Sequence, residues 1–255
     1  MHNENLQNSN NILISIVIAT YNAGAYLEKC LGSISSQREK RIEVIVIDGG
    51  STDNTLQILQ QAVLPRLKWI SEPDGGIYDA LNKGVRLSGG SWLYFLGSDD
   101  TLRPEFSQLA EHLDSPDTLY YGDVRPVYTD SKKGFDIVHG KFDAYRMAKY
   151  CINHQAILYP SLVFEKYSYN ILYKINADYA LNMQVWGDET WEKKYYPLEI
   201  ANYNMSGISS FKIDERFKKD KLKLVKQYFG RKIYFRLLFK RMKKKILGQD
   251  TTYDL

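Results

Sequence analysis

Between Ile12 and Leu102 four apolar runs alternate with three segments of helical spacing. "ILISIVIAT" is almost entirely apolar and rich in β-branched residues, the pattern of a strand covered on both faces. "AGAYLEKCLGSISSQ" follows with apolar residues at helical intervals. "IEVIVIDGG", "LKWISEP" and "SWLYFLG" read as three further strands. "STDNTLQILQQA" and "GGIYDALNKGVRLS" read as the helices between them. Such alternation predicts a mostly parallel sheet flanked by helices, an α/β fold. Each predicted strand ends in a polar cluster: "ATYN", "DGGSTDNT", "SEPDGG" and "GSDD". Parallel strands bring these clusters to one carboxyl edge, where open α/β sheets bind ligands.

Several of the clustered residues suit that chemistry. Asp99 and Asp100 repel each other unless they cap a turn or share a cation, and divalent ions favour oxygen ligands. Asp48 is placed either as an acceptor for a ribose or base, or as the side chain of a strand-end Asx turn. Glu72, Asp74 and Asp79 surround a glycine turn. Asp79 and Lys83 stand four apart on a helix, so a surface ion pair is the plain alternative to a ligand role. No lysine occupies the P-loop position in "DGGSTDNT", and no GxGxxG follows the first strand. These two absences disfavour a P-loop nucleotide triphosphatase and a dinucleotide-binding fold.

The opening "MHNENLQNSN" lacks the basic start and apolar stretch of a signal peptide, and residues 1–11 are expected to be disordered. No apolar run reaches the roughly 18 residues that span a bilayer. Two cysteines make no disulfide framework, so the expected setting is cytoplasmic. The net charge of +4 is uneven. From Lys212 onward there are 15 Lys/Arg and 5 Asp/Glu, a net of +10, which leaves −6 on the rest.

The ordered set "ISIVIATYNAGAYLEKCLGSI", "IEVIVIDGGSTDNT", "EPDGGIYDALNKGV" and "SWLYFLGSDD" resembles the successive signatures of family 2 glycosyltransferases with the GT-A fold. The later "NHQAILYP" and "INADYALNMQVW" are similar to the acceptor-side half of bacterial members that build surface polysaccharides, lipopolysaccharide among them. The resemblance implies a catalytic domain over 12–212, with a nucleotide-sugar-binding half (12–102) and an acceptor-side half (103–212). It implies a nucleotide-sugar donor, a UDP-sugar in particular, a divalent cation (Mn2+ or Mg2+), and inversion at the anomeric carbon. The acceptor would be a glycan or a polyprenyl-linked sugar.

Carried over by position, Thr20 and Tyr21 would lie beside the nucleobase, and Asp48 would contact base or ribose. Asp74 and Lys83 would lie near the ribose and diphosphate. Ser98, Asp99 and Asp100 match an acidic triplet whose usual first Asp is Ser here. Asp99 would contact ribose or share the metal, and Asp100 would be its main ligand. Asp178 matches the general base, and His154 would lie near the donor sugar or diphosphate. Two other readings fit less well. A sugar-1-phosphate nucleotidyltransferase usually opens with a basic glycine-rich loop, which "ATYNAGAY" is not. A non-catalytic nucleotide-sugar or carbohydrate-binding protein would not need Asp99, Asp100 and Asp178 together.

The second half is less regular. A hairpin is expected around Lys133 and Gly134, a helix over "NADYALNMQVWG" and a strand over "KKYYPLEIANYN". The tail, 213–255, reads as a basic amphipathic helix. Leu222, Val225 and Phe229 are helically spaced, as are Phe235, Leu238, Met242 and Ile246 after Gly230. Such a helix either anchors the protein peripherally to an anionic membrane surface, at the inner face, or packs its stripe on the domain. No nucleic-acid module accompanies the basic residues.

Overall fold

The computed structural model describes residues 12–128, 137–205 and 213–248. The hairpin expected around Lys133 and Gly134, and residues 1–11, lie outside them. The elements in chain order are β1 (Ile14–Thr20), α1 (Leu27–Ser35), β2 (Ile42–Asp48), α2 (Thr55–Gln61), β3 (Leu67–Ser71), α3 (Ile77–Leu87), β4 (Trp92–Phe95), β5 (Thr101–Leu102) and α4 (Glu105–Ala110). There follow β6 (Thr118–Val127), α5 (Ala144–Lys149), a 3-10 turn at His154–Ala156, β7 (Ile157–Pro160), α6 (Val163–Lys166), α7 (Ala177–Gly187), β8 (Glu192–Asn204) and α8 (Glu215–Ile246).

The eight strands form one sheet in the order β3-β2-β1-β4-β7-β6-β8-β5. The first four are parallel. β7 runs antiparallel to both β4 and β6, and β8 lies parallel to β6. Period-2 geometry explains the unbroken apolar runs. Ile14, Ile16 and Ile18 of β1 enter the core on one face with Leu27, Leu31 and Leu59 of α1 and α2. Val17 enters the other, with Tyr78 and Leu81 of α3 and much of α5 and α7. Both faces are covered, so no polar alternation is needed.

The chain lays β2 and β3 to one side of β1 and β4 to the other. The order reverses between β1 and β4, and that reversal opens the crevice at the carboxyl ends. Helix α8 is anchored at its start. Asp214 Oδ1 accepts the Phe217 N–H as an N-cap, and Phe217 and Val225 are buried in the core. The same helix is broken at Gly230 (φ 78°, ψ 176°), and its two halves have different surroundings.

Candidate active site

The β2–α2 loop is organised by Asp48. The residue is fully buried. Its Oδ2 accepts from the N–H groups of Gly50 (3.1 Å) and Ser51 (2.9 Å) and from Ser71 Oγ (2.6 Å), and its Oδ1 accepts from Ser51 Oγ. The Gly50 and Ser51 bonds form the expected Asx turn, and the Ser71 bond ties the ends of β2 and β3 together. Ser51 Oγ also accepts the Asn22 N–H (2.7 Å), which joins in the loop after β1. Asn22 itself stands at positive φ, where Asn is tolerated best after Gly.

Thr20 and Tyr21 close β1 at the same edge. Thr20 is buried, and its Oγ1 has no partner among the described residues. Tyr21 is 64% exposed, a free ring face beside it. Asp74 reaches over from the β3–α3 loop. A Cβ built on Gly49 would sit 2.8 Å from Asp74 Oδ2 and 3.5 Å from the Tyr21 ring, so three loops meet there. Lys83 pairs with Glu72 (2.7 Å) and Asp79 (3.8 Å) and donates to the Pro73 carbonyl (3.2 Å). Its charge closes the "EPDGG" loop.

The acid pair follows β4. Asp100 is buried, with Oδ1 accepting the Asn204 N–H (2.7 Å) and Oδ2 accepting Gln155 Nε2 (2.8 Å). Asn204 Nδ2 also donates to Asp99 Oδ2 (3.1 Å). Burial raises the Asp99 pKa. Burial, reinforced by the neighbouring Asp99 charge, pushes Asp100 up to about 7. Gly97 leaves the space both carboxyls use. A Cβ there would lie 2.5 Å from Asp100 Oδ2 and 3.0 Å from Asp99 Oδ1.

This pair fits a divalent cation of one kind. Among the described residues no three His, Cys, Asp or Glu side chains converge as a cage. Magnesium and similar ions are commonly held by one or two carboxylates and completed by substrate phosphates and water. Two crowded, desolvated carboxyls with raised pKa values are the donor set such an ion would relieve.

Asp178 lies in the first turn of α7. Its Oδ1 is 2.9 Å from the Tyr78 hydroxyl, which also contacts the Ile175 carbonyl. Its Oδ2 is 3.9 Å from His154 Nδ1. That nitrogen is buried and without a hydrogen-bond partner among the described residues. Burial lowers the His154 pKa, opposed by the Asp178 charge. Thus His154 faces Asp178 while its neighbour Gln155 holds Asp100. The 3-10 turn connects the two acidic centres.

The structure therefore groups Thr20, Tyr21, Asp48 and Asp74 at one end of the crevice. It joins Asp99 and Asp100 to His154 and Asp178 through the 3-10 turn. Lys83 adjoins the Thr20 and Asp74 end, bonded to Glu72, Asp79 and the Pro73 carbonyl in the loop that carries Asp74. Tyr78 and Asn204 also bond to these residues, and Gln155 belongs to the His154–Gln155 pair that "NHQAILYP" singled out. Asn204 carries no local signal, being 104 residues from the carboxyl it binds.

Residues 15–180 match the family model for glycosyl transferase family 2. The chain belongs to that family. It is 36% identical over 219 residues to the PGL/p-HBAD biosynthesis glycosyltransferase of Mycobacterium bovis (strain BCG / Pasteur 1173P2), covering 81% of this chain and 83% of the relative. A 99-residue stretch is 42% identical to chondroitin synthase of Escherichia coli, covering 38% of this chain and 14% of that one. Among solved structures, S. aureus TarS 1-349 in complex with UDP-GlcNAc superposes with a TM-score of 0.67 at 17% identity, over 84% of this chain and 65% of the other. The mannosyltransferase PcManGT from Pyrobaculum calidifontis, in complex with GDP-Man and Mn2+, gives 0.60 at 14% identity, over 86% and 63%. The chain thus spans less than two thirds of either solved protein. At these identities the likeness is one of fold, and it agrees with the GT-A architecture expected of the family 2 glycosyltransferase.

Proposed function

We propose that this family 2 glycosyltransferase moves a sugar, with inversion, from a UDP-sugar to a hydroxyl of a glycan or polyprenyl-linked acceptor in bacterial surface polysaccharide synthesis. The observation that carries the reading is the linkage of two acidic centres through one short turn. Asp99 and Asp100 stand at the end of β4, Asp178 stands at the head of α7, and the His154–Gln155 turn runs between them.

The donor's nucleoside would lie at the Thr20, Tyr21 and Asp74 end. The Tyr21 ring supplies a stacking face, and Thr20 Oγ1 supplies a hydrogen bond that the protein leaves unmade. Asp48 would act by holding the loop that shapes this end. Asp100, with Asp99, would hold a Mn2+ or Mg2+ ion, which neutralises charge developing on the departing diphosphate. The bond from the anomeric carbon to the diphosphate oxygen breaks, and a bond to the acceptor oxygen forms on the opposite face. The acceptor's proton passes to Asp178.

Tyr78 is built to assist that proton. Its phenol has one hydrogen and two oxygen neighbours, the Ile175 carbonyl and Asp178 Oδ1. With the phenol donating to the carbonyl, its oxygen can accept from protonated Asp178. Relatives support the reading: one is a PGL/p-HBAD biosynthesis glycosyltransferase, and a fold neighbour was solved with UDP-GlcNAc.

The direct experiment is a panel of nucleotide sugars screened by thermal shift, with and without manganese. A ligand that binds only the folded state raises its stability. The reading expects a uridine-diphosphate sugar to give the largest, manganese-dependent rise. No response to any nucleotide sugar would count against it.

A further inference from the structure

The second half of α8, after the break at Gly230, presents a face that the other described residues do not cover. Phe235, Phe239, Met242 and Ile246 are 60%, 71%, 60% and 81% exposed. Their spacing of four, three and four residues places them within a sector of about 60° at 3.6 residues per turn. The opposite face is held to the domain. Ile233, Tyr234 and Leu237 pack against the core, and the Arg236 guanidinium lies 3.7 Å over the ring of Tyr145 in α5. The outward stripe is bordered by exposed cations on both sides, Arg231 and Lys245 along one edge, Lys232 and Lys243 along the other. Between Arg231 and Leu247 there are eight Lys/Arg and no Asp/Glu.

We infer that this half-helix alone is a docking surface for an anionic lipid bilayer, lying in the headgroup plane with its four apolar side chains inserted. The first half of α8 is a structural strut, since Phe217 and Val225 are buried. A helix with a narrow apolar stripe and cationic flanks is the form that binds in the interfacial plane. Charge complementarity selects the occupant. A second copy docking through the same face would set the bordering Arg231, Lys232, Lys243 and Lys245 against their own counterparts, whereas an anionic membrane surface attracts each of them. No helix among the described residues is long and apolar enough to cross a membrane, so contact would be peripheral.

The strut also fixes the surface relative to the site. Asp214, which caps α8, accepts the N–H groups of Ile175 (2.9 Å) and Asn176 (3.3 Å), in the loop that delivers Asp178. Gly230, at a φ that other residues adopt poorly, turns the helix away from that root. The choice of a lipid surface deepens the polyprenyl-linked acceptor reading above and rests on it for its purpose.

The test uses the full chain and sedimentation with vesicles of phosphatidylcholine, with or without phosphatidylglycerol, at low and high salt. The inference expects binding to the anionic vesicles to exceed binding to neutral ones by at least about tenfold at low salt and to fall at high salt. The double variants F239S/I246S and K243E/K245E alter only exposed side chains, and each should weaken anionic binding by about tenfold or more while circular dichroism and donor affinity stay at parent values. Binding that ignores lipid charge, or that either variant leaves unchanged, would overturn the inference. So would a parent dimer that the variants dissolve. Loss of donor binding with vesicle binding intact would instead strike the proposed function and leave this inference standing.

Discussion

Gln155 Nε2 donates to Asp100 Oδ2 over 2.8 Å, and this bond joins the acceptor-side half of the chain to the acid pair at the end of β4. The carboxyl it holds is buried beside a second one. Removing the amide in Gln155→Ala leaves an oxygen of a candidate metal ligand without its donor. Losing such an outer partner typically costs 10- to 100-fold in metal affinity. Manganese-dependent nucleotide binding should weaken by about that much in calorimetry, and metal-free stability should fall by about 1–3 kcal/mol, since a bond to a buried carboxyl is lost.

Asp100 also predicts an inverse relation between stability and pH. In the folded chain it ionises at about 7, against 3.8 for an ordinary aspartate. The folded state therefore binds more protons between these values, and stability falls as pH rises through that window. Asp100→Asn removes the dependence. In chelated buffer at pH 8 it should be more stable than the parent by roughly 1–2 kcal/mol, allowing for relaxation, and the gain should shrink as pH falls towards 4. Urea denaturation at both ends of the range measures this.

Glu43 predicts the opposite slope, away from the site. It is fully buried on β2, where it accepts from Ser15 Oγ (2.6 Å), the Gly89 N–H (2.6 Å) and Lys68 Nζ (2.8 Å). Burial pushes its carboxyl up, but the bonds from Lys68, Ser15 and Gly89 outweigh it and hold the pKa below the usual value. Its stabilisation is thus present above the ordinary glutamate range and is lost as pH falls through the lowered value. Glu43→Ala should cost about 3 kcal/mol at pH 7, since it strands buried donors. Donor affinity measured on the folded fraction should be unchanged.

The sheet was legible because a strand covered on both faces must be apolar throughout. Ile16 and Val17 face different cores, as neighbouring residues of a strand covered on both sides must. The four polar clusters were legible for the same reason, since each interrupts such a run. What joins the clusters was not. Asp100 is satisfied by Asn204 and Gln155, 104 and 55 residues away, and sequence spacing carries no trace of such bonds. The tail was legible as one amphipathic helix. Burial of Val225 and exposure of Phe239 depend on where α5 and α7 pass, which the helical period does not encode.

Tyr78→Phe tests the proton-holding contact. It deletes the oxygen that protonated Asp178 can donate to, and it keeps the ring that packs on Tyr169. Turnover should fall by roughly tenfold, within the range for weakening acid–base help. The Michaelis constant for donor should stay close to the parent value. A shift in the acidic limb of the kcat profile would separate this role from a purely structural one.

The most direct test is Asp178→Asn, with transfer and donor binding measured on the same sample. The substitution keeps shape and the Tyr78 contact but removes the proton acceptor. The account predicts that calorimetry finds donor affinity within about twofold of the parent while transfer falls by roughly 10² or more. Transfer near the parent rate with donor binding intact would contradict it.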